Sequence, residues 1–137
     1  MQRFDRNHVK EIKKLLFNSY VHDAQLVQIE HNWEEDILII ELQNSIYDVK
    51  MKLFFQELAL CLSIKSDTIN KCKAVNFLIL EDDFSYLHKI APKCNLQDGE
   101  ALYFMLQLFS GEEYHIVCKA WLMETEKGHC SSPRSKT

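Results

Sequence analysis

The fold is decided by residues 33–55, which read WEEDILIIELQNSIYDVKMKLFF. In the second half of this stretch apolar residues occupy every other position, and this period of two is typical of a strand with one buried and one exposed face. The alternating residues are Tyr47, Val49, Met51, Leu53 and Phe55. In the first half, Ile37 to Leu42 is apolar except at Glu41, which predicts a central strand covered on both faces. The two halves together predict a β-hairpin at the centre of a sheet.

The segment before the hairpin has a helical pattern. Apolar residues recur at spacings of three and four from Asp5 to Tyr20, so an amphipathic helix is predicted, with Asp5 or Asn7 as its N-cap. The opposite side of this helix is basic and carries Arg6, Lys10, Lys13 and Lys14. A strand is expected to follow from Gln25 to His31, with Val27 on its apolar side.

The chain after the hairpin predicts further strands and one short helix. The strand candidates are Glu57–Ile64, Ala74–Leu80, Ala101–Phe109 and Tyr114–Glu124. The first of these also fits a helix by its length, and we favour the strand. A short helix is expected to begin at Asp82 or Asp83 and to stop before Pro92. The last two candidates are separated by four polar residues, a connection typical of a hairpin.

These elements predict the α+β class, with an antiparallel sheet of six or seven strands that is mostly a meander. The N-terminal amphipathic helix is expected to pack on one face of the sheet, with the short second helix at an edge. Residues 1–124 are expected to form a single α+β domain. Residues 125–137 have almost no apolar side chains and are expected to form a disordered C-terminal tail.

Composition excludes several classes of protein. The 137 residues are 47% hydrophobic and 26% charged, as in soluble globular proteins, and no apolar run approaches the roughly 20 residues that span a bilayer. Five cysteines, an odd number without C-x-x-C spacing, argue against a disulfide framework and a zinc ribbon. Three isolated glycines build neither a P-loop nor a dinucleotide fingerprint. We therefore predict a cytoplasmic protein with no metal and no cofactor.

Charge is distributed unevenly along the chain. Residues 1–20 carry five basic and two acidic side chains, a net charge of +3, whereas residues 21–124 carry eight basic and seventeen acidic side chains, a net charge of −9. The acidic residues collect in predicted turns, which are Glu34–Asp36, Glu81–Asp83 and Glu112–Glu113. An acidic surface repels nucleic acid and membrane phosphates and attracts a cationic protein. The distribution therefore predicts a protein partner, with no binding of nucleic acid or membrane.

The candidate partner-binding residues combine this charge with tryptophan. Trp33 directly precedes Glu34, Glu35 and Asp36, and Trp121 lies in the last strand candidate on the face opposite Cys118. Exposed tryptophan is enriched among binding hot spots because its ring buries a large rigid area and keeps one N–H donor. The site predicted from the sequence therefore comprises Trp33, Glu34, Glu35, Asp36 and Trp121, and no catalytic residue.

The order of elements resembles that of small bacterial immunity proteins from polymorphic toxin and contact-dependent inhibition systems. The resemblance rests on strand patterns in residues 20–124, namely H22-D-A-Q-L26, Ile37–Leu42, Tyr47–Phe55 and I116-V-C-K-A-W-L122. It implies a cytoplasmic, non-enzymatic protein that binds and blocks one cognate toxin. An acidic surface would suit a basic, nuclease-like toxin.

Two alternatives remain open at the level of sequence. In the first, the chain is an enzyme or small-ligand-binding protein in which His22, Asp23, His31 or His115 converge with carboxylates in one pocket. In the second, it is a structural subunit that forms a homodimer or larger homo-oligomer through the exposed side of the Ile37–Leu42 strand.

Overall fold

The computed structural model describes residues 2–65 and 72–127. The strands are β1 (Phe4–Asp5), β2 (Gln25–Asn32), β3 (Ile37–Asn44), β4 (Val49–Ile64), β5 (Val75–Glu81), β6 (Leu102–Leu108) and β7 (Glu113–Lys127). The helices are α1 (Val9–Phe17) and α2 (Ser85–Ile90), and a 3₁₀ turn at Arg6–His8 leads into α1. The two helices and the antiparallel sheet confirm the predicted α+β class.

All seven strands belong to one antiparallel sheet with the order β2-β3-β4-β7-β6-β5, and β1 pairs with β7 off this path. The sheet consists of two three-stranded meanders, β2-β3-β4 and β5-β6-β7. They are joined where β4 pairs with β7 along Val49–Ile64. The edge strands approach each other at one end, where an isolated bridge links Gln25 with Ala74. The sheet is therefore strongly curved around its main core.

The structure confirms most of the burial that the sequence predicts for the central hairpin. In β4, Val49, Met51, Leu53 and Phe55 have no exposed surface, whereas Tyr47 is 62% exposed because it lies in the turn before the strand begins. The expectation that β3 is covered on both faces is wrong. Leu38, Ile40 and Leu42 are buried, but the residues between them, Ile37, Ile39 and Glu41, are only half-buried. One face of β3 therefore reaches solvent.

The N-terminal helix is shorter than its sequence pattern. Helix α1 begins at Val9 and ends at Phe17, while Asp5 caps the preceding 3₁₀ turn by accepting a hydrogen bond from the Asn7 amide at 2.9 Å. Ile12 is fully buried in the main core, which fixes α1 against the sheet. The strand β1 occupies the beginning of the segment that was predicted to be helical, because Phe4 packs beside Trp121 in the core.

Register shifts interrupt the strict alternation of several strands, and β2 and β7 are the strands where predicted residues change face. The register of β2 against β3 shifts between Leu26 and Gln28, so Leu26 and Ile29 pack on the core and Val27 is exposed, contrary to the prediction for Val27. In β7, Cys118 and Trp121 belong to the same core although three residues separate them. The alternation in β7 is therefore interrupted between these two residues.

A second, smaller core lies under α2. Phe84 and Leu87 are buried against Tyr103 and Val117. Helix α2 ends at Ile90, two residues before Pro92, which confirms the predicted stop. This core covers the face of β6 and β7 that the main core leaves free.

The C-terminal boundary also differs from the prediction. Strand β7 continues to Lys127, and Thr125, Glu126 and Lys127 pair with β4, so the domain extends past residue 124. Residues 128–137 of the predicted tail, like residues 66–71, lie outside the described residues. Within the described ranges, neither helix is long and apolar enough to cross a membrane.

Candidate functional site

The turn between β2 and β3 presents the predicted acidic group, and we call residues 33–36 the Trp33 turn. Asn32 closes it, because its Oδ1 accepts hydrogen bonds from the amides of Glu34 at 3.1 Å and Glu35 at 3.2 Å. Short polar side chains that accept from amides two and three residues ahead are typical of such turns. The backbone of the turn is therefore fixed before any partner binds.

The far side of the turn is tied to the neighbouring strand. Asp36 has a φ of 53°, a left-handed conformation that aspartate tolerates better than most residues. Its carbonyl oxygen accepts a hydrogen bond from the Leu58 amide of β4 at 3.0 Å. The turn is therefore held by hydrogen bonds to Asn32 of β2 and Leu58 of β4.

Trp33 is the most exposed side chain in the turn that can bury a large apolar area. Its relative exposure is 78%, and its ring stacks on the His31 imidazole with centroids 3.9 Å apart. Stacking on a strand residue limits the rotamers of Trp33, so less conformational entropy is lost when a partner covers it. Trp33 is thus a preorganised, solvent-exposed aromatic anchor.

Charged groups surround this anchor. The side chains of Glu34, Glu35 and Asp36 are all exposed. Beyond them, Arg3 binds Glu57 at 2.6 Å and the Gln56 side chain at 2.7 Å, next to Leu58, which holds the turn. Sequence reasoning missed Arg3 and Glu57 at this surface because each is at least twenty residues from the turn. Glu57 has a positive φ of 52°, and its side chain is exposed.

Trp121 does not belong to this surface, and its predicted role as a surface anchor is wrong. It is fully buried, packed between Phe4 and Phe104, whose ring centroids lie 6.1 and 5.6 Å from its own. Its Nε1 is a buried donor without a hydrogen-bond partner among the described residues. Of the five residues predicted to bind a partner, only the four of the Trp33 turn are exposed, and their role stays a prediction.

The residues of the enzyme alternative lie in separate environments. His22 Nδ1 is 3.2 Å from Asp23 Oδ2, and both side chains are more than half exposed after the end of α1. His31 stacks on Trp33, and His115 is fully buried beside Tyr103. The described residues contain no group of three or more His, Cys, Asp or Glu side chains placed to hold a metal ion. The convergence that this alternative requires is not formed by these four residues.

His115 belongs to a hydrogen-bonded chain that links two strands, β6 and β7. The Tyr103 hydroxyl is 2.7 Å from His115 Nδ1, and His115 Nε2 is 3.0 Å from Glu113 Oε1. Glu113 Oε2 in turn accepts from the Gln107 amide group at 3.1 Å. A neutral imidazole satisfies this geometry by accepting from Tyr103 and donating to Glu113. The chain thus pairs polar groups buried between β6, β7 and α2.

We expect alkaline pH to destabilise the protein through Tyr103. Burial, the largest cause, raises the pKa of Tyr103 above its usual value of 10.0, with Tyr86, Glu81 and Glu113 adding to the effect. The folded state therefore keeps a proton that the unfolded state loses above pH 10, and stability falls from there as pH rises, by about 1.4 kcal/mol per pH unit. Urea unfolding between pH 9 and 11 measures this slope. The slope should be smaller in Tyr103→Phe, and equal slopes in parent and variant would contradict the assignment.

Cys61, Cys94 and Cys118 are free thiols. Burial raises the pKa of the Cys61 and Cys118 thiols, so both favour the unreactive protonated form. Cys130 lies outside the described residues.

No protein-family model matches the chain, and no curated protein gives a match to it.

Proposed function

We propose that this chain is a non-enzymatic protein-binding module whose partner docks on the Trp33 turn. The observation that carries the proposal is the combination of a 78% exposed tryptophan with a fixed backbone. An exposed aromatic ring of this size is costly to keep in water and is favourable to cover with a partner. A turn that is already ordered gives up little entropy on binding.

The charge of the surface favours a cationic partner. Glu34, Glu35 and Asp36 lie around Trp33 with their side chains in solvent, in a region of the chain whose net charge is strongly negative. Complementary charge accelerates association and selects against acidic competitors. A basic protein domain, such as that of a nuclease-like toxin, satisfies both requirements. We therefore propose an immunity-type inhibitor that acts in the cytoplasm by covering such a domain.

The test is capture of a partner from an extract of the native host. The immobilised parent chain is compared with a variant of the turn, Glu34→Lys, Glu35→Lys and Asp36→Asn. Asparagine is chosen at position 36 because it tolerates the left-handed backbone. We expect the parent to retain a basic protein, and we expect the variant to associate with it about tenfold more slowly or worse, with a weaker dependence on salt.

A matched control separates the turn from net charge. Glu124→Lys, Glu126→Lys and Glu100→Gln change the net charge by the same amount at exposed positions outside the turn. The control should capture the partner as the parent does. Equal loss in both variants would reduce the effect to net charge, and equal binding by parent and turn variant would place the site elsewhere. Recovery of a tightly bound metabolite in place of a protein would favour the small-ligand alternative.

A further inference from the structure

A groove runs between helix α1 and the edge strand β5. Its volume is about 370 Å³. Its lining is mostly apolar and comprises Lys13, Leu16, Phe17, Val21, His22 and residues 76–80. Phe17 lines the groove on its solvent side, since its side chain is 88% exposed. The groove uses none of the residues of the Trp33 turn.

The groove follows the free edge of β5. Consecutive residues of a strand point to opposite faces, so a cavity lined by the five successive residues from Asn76 to Leu80 must border the strand's edge. Among the described strands, β5 pairs along this part only with β6. Alternate N–H and C=O groups of an edge strand point away from its partner, here towards α1. The groove therefore offers backbone hydrogen-bonding groups in addition to apolar surface.

The ends of the groove are defined by polar contacts. At one end, the outer side of β5 is already occupied, because the Val75 amide donates to Ala24 and the Val75 carbonyl accepts from Asp23. At the other end, Lys13 of α1 forms an ion pair with Asp82, which follows β5. The stretch between them is about 13 Å long, enough for four or five residues in extended conformation.

Helix α1 contributes the basic side chains beside the groove. Lys10 and Lys14 are exposed on α1 within one turn of Lys13, and neither forms an ion pair with a described residue. Residues three and four apart are neighbours on a helix surface, so these lysines form one basic strip on α1, and Lys13 of this strip lines the groove. An acidic segment would be attracted to this strip, and a basic one repelled.

We propose that the α1–β5 groove binds an extended, acidic segment of a protein, which adds to β5 as a further antiparallel or parallel strand. Main-chain hydrogen bonds to β5 provide affinity, alternate apolar side chains fill the cavity beside Leu16 and Phe17, and the negative charge of the segment is attracted by the α1 lysines. This site differs in place and in charge from the Trp33 turn. Its ligand is therefore an acidic segment, whereas the partner of the turn is basic.

The test uses synthetic peptides and the whole chain, so it is independent of any captured partner. The probe is a fluorescein-labelled, end-blocked octapeptide of alternating valine and glutamate. One comparison peptide has lysine for every glutamate, and another has N-methylated valines, which remove amide donors without changing charge. We expect saturable binding of the acidic peptide in fluorescence anisotropy, and binding at least about tenfold weaker for both comparison peptides.

Variants of the chain locate the binding. Lys10→Glu with Lys14→Glu should weaken binding of the acidic peptide at least about tenfold, because the basic strip is reversed. The control Lys93→Glu with Lys119→Glu makes the same charge change at exposed positions outside the groove and should bind like the parent. Circular dichroism verifies the fold of both, and Phe17→Ala, an exposed change, provides a second probe if the helix variant is unfolded.

Three results would overturn the proposal. The first is no binding of the acidic peptide at millimolar concentration. The second is equal binding of the acidic, basic and N-methylated peptides, which would indicate non-specific adsorption. The third is saturable binding of decanoate without binding of the peptide, which would assign the groove to an anionic acyl chain.

Discussion

Leu53→Asp is expected to abolish the folded, soluble protein. Leu53 has no exposed surface and lies between Ile40 of β3 and Met123 of β7 in the middle of the sheet. An aspartate there has no cationic partner within the core, so it must either bury a charge or take up a proton at a cost of several kcal/mol. That cost is comparable to the whole stability of a domain of this size, about 5 to 15 kcal/mol. The measurements are soluble yield and urea unfolding.

The matched control is Lys50→Asp on the exposed face of the same strand. Lys50 is paired with Gln43 and Glu126, so the substitution introduces one like-charge neighbour and no burial. The change in unfolding free energy should stay within about 1 kcal/mol. If Leu53→Asp remained as stable as the parent while Lys50→Asp unfolded, the strand would face the core with its other side.

The central hairpin was predictable because its signal is local. The alternation in β4 depends on side chains two residues apart, and the buried residues Val49 to Phe55 follow it. The prediction that Glu57–Ile64 forms a strand is also confirmed, since strand β4 extends to Ile64. The second hairpin and α2 were predictable for the same reason, as each is closed by turn residues near in sequence.

Strand order could not be read from the sequence. The pairing of β4 with β7 joins residues as far apart as Val49 and Lys127, and no period within either strand encodes that partner. Irregularities were equally hidden. The shift near Leu26 exposes Val27, and the change of face between Cys118 and Trp121 buries a tryptophan that strict alternation places on the other side.

The candidate site was likewise predictable only where its residues are close in sequence. Residues 33–36 are contiguous, so their grouping needs no knowledge of the fold. The anchors of the turn on Leu58 and the nearby Arg3–Glu57 pair arise from strands brought together only by folding. The burial of Trp121 depends on contact with Phe4, at the other end of the chain.

Trp33→Ala is expected to cost about 2 kcal/mol of binding free energy, or roughly 30-fold in affinity. The ring is 78% exposed in the free protein, so a partner that covers it removes most of its apolar area from water. The loss should appear mainly as faster dissociation, because short-range packing forms after the encounter. Stability should change little, since the ring is 78% exposed and the turn is held by Asn32.

The matched control is Ile46→Ala. Ile46 is 75% exposed in the turn between β3 and β4. The substitution therefore removes an apolar side chain that is about as exposed as Trp33, from the next connection along the chain. Binding by this variant should equal that of the parent. A similar loss in both variants would indicate a broad apolar contact without a tryptophan anchor.

The most direct measurement is the dissociation rate constant of the captured partner from the parent chain and from Trp33→Ala, determined by surface plasmon resonance. We expect dissociation about 30-fold faster from the variant, with thermal unfolding of the free chain unchanged. Equal dissociation rate constants for parent and variant would contradict the proposal that the partner binds at the Trp33 turn.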